Sequence, residues 1–84
     1  MVNVYLFIEL LRSANAADTA DALKALELGD CHFANVVVLA DDKIVAQLDC
    51  KTSAQANTAI LAKISPVEGI VQTNIISVVR PVHK

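Results

Sequence analysis

The chain has 84 residues, of which 55% are hydrophobic, and a formal net charge of −2. A domain this small buries only about 60 to 65% of its unfolded surface, and the aliphatic content exceeds what a monomer of this size needs, which favours association. The seven basic residues are scattered, which argues against direct nucleic-acid binding. No apolar run reaches the ~18 to 20 residues of a membrane span, and the start lacks a signal-peptide pattern. We therefore expect one cytoplasmic domain over residues 1–84 with no membrane association.

The first stretch, Val2 to Leu11, alternates as a β-strand does, but both of its faces are largely apolar. One face carries Val2, Val4, Leu6, Ile8 and Leu10, and the other carries Asn3, Tyr5, Phe7 and Glu9. This pattern is typical of a central strand covered by helices on one side and by a partner on the other.

A helix is predicted next. Asn15, with Asp18 three residues later, is typical of a helix N-cap. We expect the helix to run from about Ala16 to Leu28, with Gly29 as its stop.

Two apolar runs flank Ala40-Asp41-Asp42-Lys43, which predicts a β-hairpin between Cys31 and Lys51. If Asp41 and Asp42 form the loop, regular alternation gives one buried face of Phe33, Asn35, Val37, Leu39, Ile44, Ala46, Leu48 and Cys50. The opposite face is apolar in its middle, so another protein layer is expected there. The predicted dimer face consists of Tyr5, Phe7, Val36, Val38 and Val45.

Thr52, followed three residues later by Gln55, has the capping-box pattern and starts a second helix that runs to about Ile64. A break from Ser65 to Gly69 precedes a last strand, Ile70 to Pro81, in which Pro81 ends the ladder. The order β-α-β-β-α-β predicts an α+β, ferredoxin-like sandwich with an antiparallel sheet of order 4-1-3-2 and both helices on one face. Two such sheets would pack into a dimeric α/β barrel.

Candidate chemical groups are few. Cys31 and Cys50 are offset by one pair in the regular register, so buried free thiols are expected unless a bulge shifts the strands. The polar groups of the second sheet face, among them a histidine and carboxylates, provide the minimum for acid–base chemistry but are explained as the polar rim of a dimer. They are Glu9, His32, Gln47, Asp49 and Lys51. No phosphate loop, nucleophile elbow or zinc motif is present, so no catalytic residue, metal or cofactor is expected.

A family resemblance rests on the hairpin segment Val38 to Leu48, the capped helix after it, Ile64-Ser65-Pro66, Gly69-Ile70 and Thr73. Along essentially its whole length the chain resembles the effector-binding domain of the Lrp/AsnC transcriptional regulators. The hairpin loop departs from the family pattern, since Ala40 stands in place of a glycine and Asp42 and Lys43 do not match. The chain starts directly at the first strand, so the family's helix-turn-helix module is expected to be absent.

The resemblance implies a domain that dimerises sheet on sheet, that assembles further into rings, and that binds an amino acid between subunits. The implied ligand residues are Ala40, Asp41, Asp42, Thr73 and Asn74. Aspartates of the loop would pair with the ligand's ammonium group, whereas the alternative is that they only form the turn. Any role in transcription would be indirect, through a regulator protein as partner.

Two other functions compete with this sensing module. One is a cofactor-independent enzyme of the dimeric α/β-barrel kind, which requires a roomy pocket between helices and sheet rather than a space filled by Leu23, Phe33 and Ile60. The other is a pure assembly module.

Overall fold

The computed structural model describes residues 1–80, so the predicted ladder end at Pro81 lies outside the described residues. The elements follow the predicted order β-α-β-β-α-β. They are β1 (Val2–Leu10), α1 (Ala16–Lys24), β2 (Cys31–Ala40), β3 (Lys43–Cys50), α2 (Ser53–Ala59) with a π-helical segment (Ile60–Ile64), and β4 (Ile70–Val79). The strands form one antiparallel sheet of order β2-β3-β1-β4, an arrangement compatible with a ferredoxin-like fold. None of the helices in residues 1–80 has the length and apolar content to cross a bilayer.

Both helices start where the sequence predicts. The Asn15 side chain accepts a hydrogen bond from the Asp18 backbone N–H at 3.0 Å, and Thr52 accepts one from the Gln55 N–H at 3.1 Å. These caps satisfy N–H groups that have no partner in the first turn of a helix. The end of α1 differs from the prediction, because the helix stops at Lys24 and Gly29 instead serves the turn before β2 with a φ of +67°.

The hydrophobic core lies between the helices and one face of the sheet. The alternation of β1 places all five of its even-numbered residues there, each at most 6% exposed. Their main partners are Leu23, Ile44, Leu48, Ile60 and Ile64. Because both helices pack on this face, the opposite face of the sheet is left without a layer in the described chain.

Two irregularities in β2 change the register of the hairpin. Ala40 pairs with Lys43 as predicted, but the pairing then shifts at Leu39 and again at Ala34. Between the shifts, Val36 pairs with Ala46 and Val38 pairs with Ile44. Ala46 and Ile44 are core residues. Val36 and Val38 therefore lie on the helix-covered side of the sheet, and their predicted place on the dimer face is wrong.

The same shifts decide the state of the cysteines. After the second shift Cys31 lies directly opposite Cys50, with a Cα–Cα distance of 4.2 Å, and the two form a disulfide. The expectation of two free thiols is therefore wrong, because it assumed uninterrupted alternation. Each shift moves β2 by one residue relative to β3, and together they remove the one-pair offset.

Candidate functional site

The face of the sheet opposite the helices, called here the uncovered face, has an apolar centre. Phe7 on β1 lies beside Val45 on β3, which in turn lies beside Val37 on β2. Tyr5 is two residues before Phe7 on the same face. Val37 is 50% exposed. Tyr5, Phe7 and Val45 are half-buried, and only neighbouring side chains of the sheet cover them. The centre is thus apolar surface in contact with water.

One end of the uncovered face holds a polar cluster from three strands. The buried Asp49 accepts hydrogen bonds at Oδ1 from Asn3 Nδ2 at 2.6 Å and from Gln47 Nε2 at 3.0 Å. His32 Nε2 lies 3.7 Å from Asp49 Oδ2, and its side chain is 63% exposed. The Asp49 carboxylate is therefore supplied with donors inside the chain and does not depend on water.

The structure brings together only part of the predicted polar set. His32, Gln47 and Asp49 converge, and they are joined by Asn3, which lies on the predicted face but outside the predicted polar set. Glu9 lies at the opposite end of the face, where it pairs in register with Lys43. Lys51 turns away to Asp30, at an N–O distance of 3.6 Å.

The hairpin tip lines a small open cavity. The Leu10 N–H donates to the Asp42 carbonyl at 2.8 Å, which ties the tip to the end of β1. Arg12, Asp41 and Asp42 line this open depression, whose volume is about 340 Å³. One Asp42 oxygen also accepts from Lys43 Nζ at 3.1 Å. Acidic and basic residues therefore line the same depression, and Arg12 among them is not predicted from the sequence.

The remaining predicted ligand residues do not share this space. Thr73 pairs with Ile8 on the helix-covered side, and its Oγ1 is buried without a hydrogen-bond partner among residues 1–80. Asn74 pairs with Phe7 on the uncovered face and accepts from Gln72 Nε2 at 3.1 Å. Ala40, Asp41 and Asp42 are thus adjacent to one another, whereas Thr73 and Asn74 lie on opposite faces of β4.

The space between helices and sheet is filled. Leu23 is fully buried and Ile60 is 6% exposed, and Phe33 is partly buried and packs against the core cluster that contains them. These are the residues whose packing would remove the roomy pocket that the enzyme hypothesis requires.

A separate groove of about 540 Å³ lies on the helix side, between residues 27–30 and α2. Gln55 Nε2 donates to Asp30 Oδ2 at 2.9 Å there, while Gln55 Oε1 has no partner in the described part of the chain. No residue predicted to bind a ligand lines this groove.

In residues 1–80 no three His, Cys, Asp or Glu side chains are grouped so that they could hold a metal ion. Comparison of the chain with family models, with curated proteins and with solved structures yields no match. The interpretation of the site therefore rests on its geometry.

Proposed function

We propose that this chain is a self-assembling domain that dimerises through the uncovered face and holds a small zwitterionic metabolite, of the amino-acid class, beside the hairpin tip. The observation that carries the proposal is an apolar sheet centre with polar ends. This geometry supports the dimeric α/β barrel expected from the sequence, and the resemblance to Lrp/AsnC effector domains agrees with it.

The partner on the uncovered face is a second copy. A partner of strongly opposite charge is not favoured, because the ends of the face carry residues of both signs: Asp49 accepts from Asn3 and Gln47 at one end, and Glu9 lies across from Lys43 at the other. These polar ends lie at the rim, so covering the apolar centre buries neither Glu9 nor Lys43. A two-fold axis then places Tyr5 and Phe7 of one copy against the same apolar centre of the other.

The available area is sufficient for such a pair. Strands about 4.8 Å apart, with about eight residues at roughly 3.3 Å each, give a four-stranded face on the order of 500 Å². Two such faces reach the roughly 1,000 Å² that a specific interface buries. The four apolar residues at the centre supply the dry core of that interface, and the polar ends supply its rim.

The ligand part of the proposal rests on the charges at the hairpin tip. An amino acid carries an ammonium and a carboxylate a few bonds apart. Asp41 and Asp42 match the first group, and the Arg12 guanidinium can bind the second through two N–H donors. The cavity of about 340 Å³ lies at the lower end of the range for ligand pockets. Any transcriptional role would pass through a regulator protein that reads the assembled state.

The assembly is tested with Phe7→Asp, which puts a charge at the centre of the uncovered face. Light scattering after gel filtration should show a halved mass relative to the native chain. Leu61→Asp is the matched control, since Leu61 is 73% exposed on the helix side, and it should leave the mass unchanged. Equal masses for native chain and Phe7→Asp would refute the interface.

The ligand is tested by thermal unfolding with each of the common amino acids. One that binds the folded chain should stabilise it by about 2.7 kcal/mol at 100 times its dissociation constant. Arg12→Ala should abolish this gain, whereas Lys24→Ala, an exposed cation remote from the cavity, should not. If no amino acid shifts the transition while the mass remains that of an oligomer, the ligand part fails and a pure assembly module remains.

A further inference from the structure

The strand β4 is an edge of the sheet with an unusual composition. Its inner neighbour is β1, and no strand among residues 1–80 pairs with its outer edge. From Ile70 to Val79 its sequence is IVQTNIISVV, ten residues with neither a charged residue nor a proline. Natural sheets protect exposed edges with lysines, prolines, bulges or very short strands, because a free edge offers unpaired N–H and C=O groups to another chain.

The protection of β4 is incomplete. Two register shifts against β1 occur in the strand, near Ile76 and Val71, but the pairing between them is regular from Gln72 to Ile75. A shift bends a strand locally, yet four consecutive residues between the shifts and three after them keep normal alternation. These stretches leave outward backbone groups in position to pair.

Apolar side chains of β4 are exposed on both faces of the sheet. Ile75 and Val78 lie on the helix-covered side, opposite Leu6 and Val4, which are fully buried or nearly so. Yet Ile75 is 46% and Val78 44% exposed, because α1 and α2 pack chiefly on β2 and β3. Val71, Ile76 and Val79 are between 44% and 59% exposed.

We propose that β4 pairs antiparallel with β4 of a second copy about a two-fold axis, which joins the two sheets into one of eight strands. An uncharged, apolar strand is complementary to itself, and a two-fold pairing closes after two copies. The other free edge, β2, is a poorer candidate because its exposed large apolar residues are confined to Val37, Val38 and Leu39 at the hairpin end.

The exposed apolar area of β4 is large enough for pairing with a second copy. The five exposed valines and isoleucines of β4 offer on the order of 400 Å² of apolar surface per copy, which is as large as the main apolar patch of a typical monomer. Two copies, together with the backbone of the paired edge, approach the roughly 1,000 Å² needed for a specific contact. The backbone hydrogen bonds fix the register, and a two-fold axis between Ile76 and Ser77 packs Ile75 of each copy against Val78 of the other.

This interface is independent of the one proposed for the uncovered face. Side chains at 75 and 78 point to the helix side and make no contact with a partner stacked on the other face. If both interfaces form, their two-fold axes cross at right angles and the product is a tetramer of two stacked eight-stranded sheets.

Four chains compared by light scattering separate the two interfaces. The native chain should have four times the mass of the 9.0 kDa monomer. Val78→Lys, which sets a charge against the apolar side chain of Ile75 in the second copy, should give twice the monomer mass, and so should Phe7→Asp. The double variant should be a monomer. Val38→Lys, the same change on the β2 edge, is the control and should not lower the mass.

Hydrogen exchange provides the second measurement. In Phe7→Asp, which retains only the edge interface, the outward amides of β4 should exchange at least roughly 100-fold more slowly than in the double variant. The proposal is overturned if those amides exchange equally fast in both chains, or if Val38→Lys rather than Val78→Lys lowers the mass. If circular dichroism shows that Val78→Lys does not fold, the exchange of the same β4 amides is compared in Phe7→Asp at high concentration and after dilution to the monomer. Slower exchange at high concentration supports the edge interface, and equal exchange overturns it.

Discussion

Reduction of the Cys31–Cys50 disulfide should lower the free energy of unfolding, and the size of the loss depends on the number of residues between the two cysteines. The two residues are 19 apart in sequence. Closing a loop of that length in the unfolded chain removes conformational entropy equivalent to about 3 kcal/mol at 25 °C. For a domain of this size, that loss lowers the midpoint of thermal unfolding by about 10 to 25 °C.

The assay is denaturant unfolding of the native chain with and without a thiol reductant. The paired variant Cys31→Ala/Cys50→Ala is measured in the same way, and its stability should not respond to the reductant. Because each chain is compared with itself, the packing lost with the sulfur atoms cancels. A change below about 1 kcal/mol in a native chain whose intact mass confirms the bond would refute the reasoning.

The oxidation state of this pair also bears on the compartment. Disulfides persist in oxidising environments and are rare in the reducing cytosol. A chain isolated from its source under thiol-trapping conditions with the bond intact would contradict the expectation of a cytoplasmic protein.

Two further changes test the site and the fold by urea unfolding. Asp49→Ala removes the acceptor of two half-buried amide donors and should lower the free energy of unfolding by about 1 to 3 kcal/mol. The control Asp21→Ala, on the exposed side of α1, should change it by no more than about 0.5 kcal/mol. Similar losses in both variants would show that the polar cluster does not stabilise the fold. Gly69→Ala places a side chain at a residue with a φ of +92°, where its Cβ would lie 3.0 Å from the Cβ of Ala14. Gly29 has a φ of +67° and open space around it, so Gly29→Ala should lower the free energy of unfolding by only about 1 kcal/mol. We expect a larger loss for Gly69→Ala. An equal cost at both glycines would mean that the contact with Ala14 relaxes freely.

The fold follows from the sequence wherever the pattern is unambiguous. In β1 the even positions are all aliphatic and end in the core, and the caps at Asn15 and Thr52 mark both helix starts. In β2 the pattern contains no such information. Val36, Val37 and Val38 are identical and adjacent, so a shift of one residue exchanges one valine for another on each face at almost no cost in burial. The bulge at Leu39 could therefore not be read from the residue types.

The two members of the candidate site that the sequence does not predict, Asn3 and Arg12, depend on the pairing of β1 with β3, which sets Asn3 opposite Asp49. The predicted His32 comes opposite Asp49 only after the second shift in β2, at Ala34. The disulfide depends on the same shift. Arg12 escaped notice because a turn residue after β1 reaches the hairpin tip only through the pairing of β1 with β3.

The central claim is that a second copy covers the uncovered face, and isotope-filtered nuclear Overhauser spectroscopy tests it most directly. A mixture of labelled and unlabelled chains reports only contacts between copies. We expect intermolecular contacts from the rings of Tyr5 and Phe7 to the methyl groups of Val37 and Val45. Intermolecular contacts that involve α1 and α2 while those rings show none would contradict it.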